Sequence, residues 1–118
     1  MRLIVTGTPG AGKTTIARKL AKKLKLELVN EKEFVEKKKI GRKDRKSGER
    51  IVGLKRLTTE LNKLLKRKKN VIIEGHLISE CKLRPADAVI MVRLSPDRLE
   101  FRLQKRNYSE VKIQDNVL

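Results

Sequence analysis

The loop from Gly7 to Thr14 is the part of the chain whose residue types and spacing indicate chemistry most clearly, because it matches G-x-x-x-x-G-K-[ST] in full. In this pattern the glycines let the backbone turn so that successive N–H groups face bound phosphates. Lys13 is placed to reach the outer phosphates, Thr14 to ligate Mg²⁺, and the Thr15 hydroxyl to lie near the α-phosphate. The loop therefore predicts a site for a nucleoside triphosphate and Mg²⁺.

A second candidate site follows the apolar stretch 71–73, where Glu74, Gly75 and His76 stand in succession. An acid at the end of a strand beside the phosphate loop would hold a Mg²⁺-bound water, but Glu74 also fits a surface carboxylate beside the basic run 66–69. His76 lies two residues further on, and so on the same side of a pleated strand. It fits either a group that orients a water or a phosphate, or a polar loop residue. Gly75 would allow close approach by a substrate or water.

Arg102, Arg106 and Tyr108 form a third candidate group. Phosphoryl transfer spreads negative charge over the transferred group, and arginines on a closing segment stabilise that charge. The same residues also fit a basic helix face in contact with solvent, and their types and spacing favour neither interpretation.

These residues need a scaffold, and the apolar pattern predicts one in which strands and helices alternate. Short apolar runs predict buried strands at 3–5, 71–73 and 88–92, and residues 26–29 are a plausible further strand. Apolar residues at helical spacing predict helices from 13 to about 24, from 31 to 39, and from 51 to a stop at Asn70. The cap and proline at 95–97 predict a helix reaching about Arg106, and Ser109 starts another. The polar stretch 41–50 predicts a mobile loop.

The order of these elements predicts an α/β fold of the P-loop NTPase class. A chain of 118 residues fits one compact domain with a single core, here residues 1–118. The sheet should be mostly parallel, with ligands at the carboxyl ends of its strands.

The charge of the chain is strongly positive, with 31 Lys and Arg against 14 Asp and Glu and a formal net charge of +17. This excess favours polyanionic partners such as RNA, but it also fits a solvated, Lys-rich surface of the kind found in proteins from hot environments. Aromatic residues make up only 3% of the chain, which argues against recognition by stacking many bases.

Cysteine content and hydropathy bear on the compartment. Cys81 is the single cysteine, so an intrachain disulfide is excluded and a reducing interior fits best. The N-terminal segment goes from a short apolar run straight into the glycine loop and no run approaches about 20 apolar residues, so we expect neither a signal peptide nor a membrane span. We therefore expect a cytoplasmic, soluble protein without a membrane partner.

Several elements in combination resemble the P-loop kinase and ATPase family that includes adenylate kinase isoenzyme six and its archaeal relatives. The matching elements are GTPGAGKTT at 7–15, VN-x-x-x-F at 29–34, the acid-x-His element at 74–76, PAD at 85–87, and R-x-Y followed by D-N between 106 and 116. They occur in family order and cover nearly the whole chain.

The resemblance implies an adenylate-kinase-like three-layer fold, broad nucleoside monophosphate (NMP) kinase activity and an ATPase activity. It also implies transient association with a platform protein of the small ribosomal subunit, and with rRNA, during rRNA maturation. By position it assigns residues 30–53 to monophosphate binding, 105–115 to a lid, and His76 to ATP hydrolysis. Residues implied to bind ATP are Gly10, Ala11, Gly12, Lys13, Thr14, Thr15 and the lid residue Arg106.

The sequence departs from the family pattern at four places. Glu74 stands where Asp is usual, which keeps the charge but adds a methylene, and Asn107 stands where Gly is usual. The monophosphate region is basic here and often acidic in the family. Relatives continue beyond the position of Leu118 with more helix and a further strand, so a domain shortened at its C-terminal end is expected.

Three functional hypotheses follow. The first is an enzyme that catalyses ATP + NMP ⇌ ADP + NDP, with Lys13, His76 and Arg106 as its catalytic residues and with Thr14 and, through water, Glu74 holding Mg²⁺. The second is an ATP-switched ribosome-assembly factor with little kinase activity, in which hydrolysis releases a ribosomal partner. The third is a P-loop kinase for another small metabolite.

Overall fold

A computed structural model of the chain describes residues 1–8, 12–48, 50–95, 98–105 and 110–115, and within these ranges it describes side chains as far as residue 93. The helices of the described residues are α1 (Lys13–Leu24), α2 (Glu31–Lys37), α3 (Leu54–Arg67) and a 3₁₀ helix at Leu77–Glu80. Their strands are β1 (Arg2–Gly7), β2 (Glu27–Asn30), β3 (Arg42–Lys43), β4 (Arg50–Ile51), β5 (Val71–Glu74), β6 (Ala88–Ser95), β7 (Arg98–Lys105) and β8 (Glu110–Asp115).

The main sheet of the described residues has the strand order β2-β5-β1-β6-β7-β8. The first four strands in this order run parallel, whereas β7 and β8 are antiparallel to their neighbours. In the register, Val5 of β1 and Asn30 of β2 both lie opposite Glu74 of β5. The carboxyl ends of these three strands therefore meet beside the phosphate loop that follows β1.

Apolar side chains on the two faces of the sheet form separate clusters, as expected for strands buried on both sides. On one face, Leu3, Val5 and Ile72 pack against Ala17 and Ala21 of α1. The opposite face contributes Ile4, Val71 and Ile73, which pack with buried residues of α2 and α3 including Phe34, Leu57 and Leu61. The predicted three-layer α/β fold with a mostly parallel sheet is confirmed.

The start of the phosphate loop leaves no room for a side chain beside β6. Gly7 has a φ of 154°, and a Cβ atom there would overlap the carbonyl oxygen of Val92. A glycine at the first position of the motif therefore lets β1 stay paired with β6 just where the chain leaves the sheet.

The two helices predicted after β6 are wrong. The residues from Arg98 to Lys105 form β7, so Arg102 lies in a strand, and Glu110–Asp115 forms β8. Residues 98–105 form a strand because Leu99, Phe101 and Leu103 alternate with polar residues, which is the period of a strand. The helix prediction relied on Leu99 and Leu103, whose spacing of four residues fits both periods.

The stretch 41–50, predicted to be a mobile loop, is instead folded into a small ribbon in its described part. Arg42 and Lys43 pair antiparallel with Ile51 and Arg50. In the turn, the Asp44 carboxylate accepts hydrogen bonds from the Lys46 N–H, at 3.1 Å, and from the Ser47 hydroxyl, at 2.9 Å. Such bonds organise a tight turn, and they lower the pKa of Asp44, the Lys46 N–H contributing most.

The ribbon is also tied to α2 through Arg50. The Arg50 guanidinium donates to the carbonyl oxygens of Ile40 and Gly41, both at 3.3 Å, and lies 3.4 Å from the Glu36 carboxylate. Because the ribbon takes up Ile51, α3 begins at Leu54 rather than at 51 as predicted. None of the helices in the described ranges has the length and apolar character needed to cross a membrane.

The cluster between the sheet and α3 should dominate stability. Leu61 of α3 is fully buried, whereas Ile51 is 68% exposed. We expect Leu61→Ala to lower the free energy of unfolding by about 2–5 kcal/mol through lost burial and a residual cavity. The control Ile51→Ala should change it by about 0.5 kcal/mol or less. Urea unfolding followed by circular dichroism measures both, and equal losses would contradict this core assignment.

Candidate nucleotide-binding site

The site is organised around the carboxylate of Glu74, the last residue of β5. Its side chain is only 1% exposed although it ends an otherwise apolar strand. The Thr14 hydroxyl donates to Glu74 Oε1 at 3.2 Å, and the Asn30 amide donates to the same oxygen. A buried carboxylate is tolerated when such donors replace lost water. The alternative of a surface carboxylate beside the basic run 66–69 is therefore excluded for Glu74.

Asn30 links this carboxylate to the start of α2. Its side-chain oxygen accepts a hydrogen bond from the Glu33 N–H at 3.0 Å, which caps the helix, while its amide nitrogen donates to Glu74. A capping asparagine thereby serves two partners at once, because its oxygen accepts and its nitrogen donates. The end of β2, the start of α2 and the end of β5 are held together by this one side chain.

The described part of the phosphate loop leads directly into α1. Gly12 precedes the helix with a φ of 84°, in the left-handed region that glycine tolerates without strain, and its carbonyl oxygen accepts the Ile16 N–H. Lys13 and Thr14 form the first turn, followed by the exposed Thr15. Helix N-termini favour anions because their first N–H groups have no partner within the helix.

Three of the predicted nucleotide-binding residues lie outside the described residues. These are Gly10 and Ala11 in the phosphate loop and Arg106 in the predicted lid. Tyr108, which belongs to the same candidate group as Arg106, also lies outside the described residues. Of the predicted lid, 105–115, the described part consists of the last residue of β7 and the strand β8. The nucleotide-binding roles of Gly10, Ala11 and Arg106 therefore stay predictions.

The oxygen atoms at Glu74 fit the needs of Mg²⁺. This ion prefers hard oxygen ligands and usually keeps several waters, with one or two protein groups and the substrate phosphates completing its shell. A hydroxyl and a carboxylate 3.2 Å apart at the start of α1 provide such a pair. Within the described residues no group of three or more His, Cys, Asp or Glu could hold a metal alone. Thr14 and Glu74 therefore fit a Mg²⁺ site in which water and the phosphates of a bound nucleotide supply the remaining ligands.

His76 follows β5 and reaches back toward α2. Its Nδ1 lies 3.7 Å from Glu31 Oε2, and its side chain is 53% exposed whereas that of Glu31 is 6% exposed. Burial raises the pKa of Glu31, while the Ile78 N–H, His76, the Leu77 N–H and Lys13 oppose that shift. Glu31 lies within the predicted monophosphate region 30–53 but was not singled out as a site residue, although Lys13 of α1 and His76 both act on its carboxylate.

Gly75 does not serve the purpose predicted for it. The space beside its Cα is filled by Glu31 rather than open to a substrate or water, since a Cβ at position 75 would lie 2.6 Å from Glu31 Oε1. Its N–H also donates to the Val5 carbonyl oxygen at 3.1 Å. The glycine therefore lets the Glu31 side chain pack against the end of β5.

A cavity of about 230 Å³ lies along the outer edge of the sheet. It is bounded by β2 from its first residue, Glu27, by Phe34 and Lys37 of α2, and by Leu64 and Arg67 near the end of α3. It extends along the whole of β2, and at the carboxyl end of that strand it reaches Asn30, the residue whose amide donates to Glu74.

Comparison with known proteins finds a matching family and several similar proteins. The sequence profile of the family described as "AAA domain" matches residues 3–118. A protein of Pyrococcus furiosus is 44% identical over 117 residues, which cover 99% of this chain and 62% of that protein. A protein of Thermococcus kodakarensis is 39% identical, and the match covers 99% of this chain and 63% of that protein. A protein of Methanocaldococcus jannaschii is 31% identical, and the match covers 99% of this chain and 65% of that protein.

Each of these three relatives carries the name "Putative adenylate kinase". The chain spans less than two thirds of the length of each of them. The matches nevertheless include both the phosphate loop and the region of Glu74 and His76.

The packing of Glu31 against Gly75 can be tested with two matched glycines. We expect Gly75→Ala to lower the free energy of unfolding by about 1–3 kcal/mol, because the added methyl group overpacks against Glu31. Gly53→Ala is the control, since a Cβ there has no neighbour within 4 Å. Because Gly53 caps the start of α3, where alanine is less favourable than glycine, this control should cost only about 0.5 kcal/mol. Adding Glu31→Ala to Gly75→Ala should restore part of the loss. Equal stability of the two single variants in urea unfolding would contradict the packing.

Proposed function

The chain belongs to the AAA-domain family, and from that premise we propose that it is a broad-specificity NMP kinase that also hydrolyses ATP. In the proposed reaction a phosphate oxygen of the monophosphate attacks the γ-phosphorus of ATP. The bond from that phosphorus to the β–γ bridging oxygen breaks, and ADP leaves. The names of the relatives support this choice of reaction over a kinase for another small metabolite.

The contact between Thr14 and Glu74 is the observation that carries the proposal. It puts the hydroxyl of the phosphate-loop motif beside a buried acid at the end of the neighbouring strand. In P-loop enzymes such a pairing serves the phosphates of a nucleotide, and here Thr14 would hold Mg²⁺ directly and Glu74 would hold it through water. When bound, Mg²⁺ would neutralise charge on the β- and γ-phosphates.

The remaining groups have separate proposed roles. Lys13 contacts the transferred phosphoryl group, and N–H groups of the loop with the start of α1 hold the other phosphates. Arg106 covers the phosphates from the lid, a role that rests on the sequence pattern. Residues 30–53, which include α2 and the Arg50-anchored ribbon, receive the monophosphate. Catalysis of this kind depends on positioning and charge rather than on a covalent intermediate.

Hydrolysis of ATP without a monophosphate is the second part of the proposal. His76 is the proposed group that orients the attacking water, and its position two residues after Glu74 supports this role. In the cell, hydrolysis would accompany transient binding to a small ribosomal subunit platform protein and to rRNA during subunit maturation. The net charge of +17 and the exposed basic residues of α1, namely Arg18, Lys19, Lys22 and Lys23, support contact with RNA.

Kinase activity is tested by substitution of the motif lysine. We expect wild-type protein to form ADP from ATP plus AMP, and Lys13→Ala to form it at least about 100-fold more slowly, because the transferred phosphoryl group loses its cation. Lys19→Ala, on the exposed face of the same helix, should retain activity. A coupled assay with each NMP and with a panel of small metabolites measures the products. A folded wild-type protein that phosphorylates no NMP would contradict the kinase proposal.

Hydrolysis and RNA binding are tested apart from kinase activity. We expect His76→Ala to slow phosphate release from ATP alone by about 10-fold or more, and to leave RNA affinity unchanged. Affinity for a small-subunit rRNA fragment should fall by more than about 30-fold between about 50 mM and about 200 mM salt, because counterions return to the phosphates. Salt-insensitive binding would contradict the rRNA contact, and full hydrolysis by His76→Ala would contradict the role of His76.

A further inference from the structure

Glu31 is a buried carboxylate that the proposed reaction does not yet use. It is 5% exposed, and its two oxygens face different partners. Oε1 accepts the Ile78 N–H at 2.8 Å, and Oε2 lies 3.7 Å from Nδ1 of His76. One oxygen is therefore fixed to the turn that carries the histidine, and the other faces the imidazole ring.

The Glu31 side chain is held in place from several directions. It belongs to the first residue of α2, whose start is capped by Asn30, and it packs against Gly75, where a side chain would displace it. Its bond to Ile78 joins α2 to the 3₁₀ helix. A carboxylate held in this way has little freedom to follow the ring, so the ring must adapt to the carboxylate.

His76, in contrast, needs an external partner to define its orientation. Its side chain is 53% exposed, and an exposed ring is free to exchange rotamers. A neutral imidazole has one N–H donor and one acceptor nitrogen, and an ionised carboxylate can only accept. A neighbouring carboxylate therefore selects the tautomer whose proton is on the nitrogen that faces it.

We propose that Glu31 is a positioning residue that turns Nδ1–H of His76 toward its carboxylate and leaves Nε2 unprotonated to accept a hydrogen bond from the attacking water. The role in hydrolysis rests on the proposed function, whereas the ring orientation does not. A ring movement of about 1 Å brings Nδ1 within hydrogen-bond distance of Oε2. Many hydrolytic sites contain a nucleophile, a base that accepts its proton and a third group that orients the base. Here the water, His76 and Glu31 would fill these three positions.

The ring orientation can be measured directly, because His76 is the single histidine in the chain. With ¹⁵N-labelled histidine, two-bond ¹H–¹⁵N spectra report which ring nitrogen carries the proton, at a pH high enough for a neutral ring. We expect the Nδ1–H tautomer in the wild type. In Glu31→Gln the amide oxygen still accepts the Ile78 N–H, so its NH₂ group faces Nδ1, and the Nε2–H tautomer should predominate.

The matched control is Glu33→Gln, a substitution of the same kind on the exposed side of the same helix. It should leave the Nδ1–H tautomer as in the wild type. If wild type and Glu31→Gln show the same tautomer, the positioning proposal is overturned. Thermal unfolding of both variants verifies that each one is folded.

Kinetics test what the orientation contributes. We expect Glu31→Gln to lower kcat for ATP hydrolysis about 10-fold, with the KM for ATP changed less than about 2-fold. The double variant Glu31→Gln/His76→Ala should be no slower than His76→Ala, because the carboxylate acts through the ring. If the fold-losses in kcat of the two single variants multiply in the double variant, Glu31 does not act through His76 and the positioning role is overturned. If the tautomer shifts while His76→Ala hydrolyses ATP normally, the proposed function of His76 fails and the positioning by Glu31 stands.

Discussion

A carboxylate at the end of a buried strand must be supplied with donors, and this requirement links the parts of the molecule that surround Glu74. Taking a charged oxygen out of water without compensation costs several kcal/mol. Here the compensation comes from the Thr14 hydroxyl at the start of α1 and the Asn30 amide at the start of α2. The two helices that border the phosphate-binding end are thereby tied to one oxygen atom of the central sheet.

The same end of the sheet holds a second buried carboxylate, and the two differ in their partners. Glu74 faces the phosphate loop and accepts from two side chains, whereas Glu31 accepts a backbone N–H and faces His76. Gly75, between Glu74 and His76 in the chain, makes room for Glu31. One short segment therefore presents a carboxylate toward the proposed metal position and an imidazole toward the proposed water.

The elements that the sequence predicted well are those whose signal is local. The buried strands are of this kind. The phosphate loop and the acid-x-His element also appear within a few consecutive residues, and Glu74 and His76 were singled out in this way, but their roles stay predictions. Asn30 and Glu31 lie in the predicted monophosphate region, but their contacts with Glu74 and Ile78 were not predicted. These partners lie 44 and 47 residues away in the chain, and only the pairing of β2 with β5 brings them together. At β7 a strong helix-start signal at 95–97 outweighed the alternation from Leu99 to Leu103, which proved to be the relevant pattern.

The central claim is that Thr14 and Glu74 form a site for nucleotide and Mg²⁺, and calorimetric titration of ATP with and without Mg²⁺ tests it most directly. The account predicts that Mg²⁺ strengthens ATP binding to the wild type by about 10-fold or more. Thr14→Ala should lose most of that Mg²⁺-dependent gain while still binding Mg²⁺-free ATP. If ATP does not bind, or if Thr14→Ala keeps the full gain from Mg²⁺, the claim is contradicted.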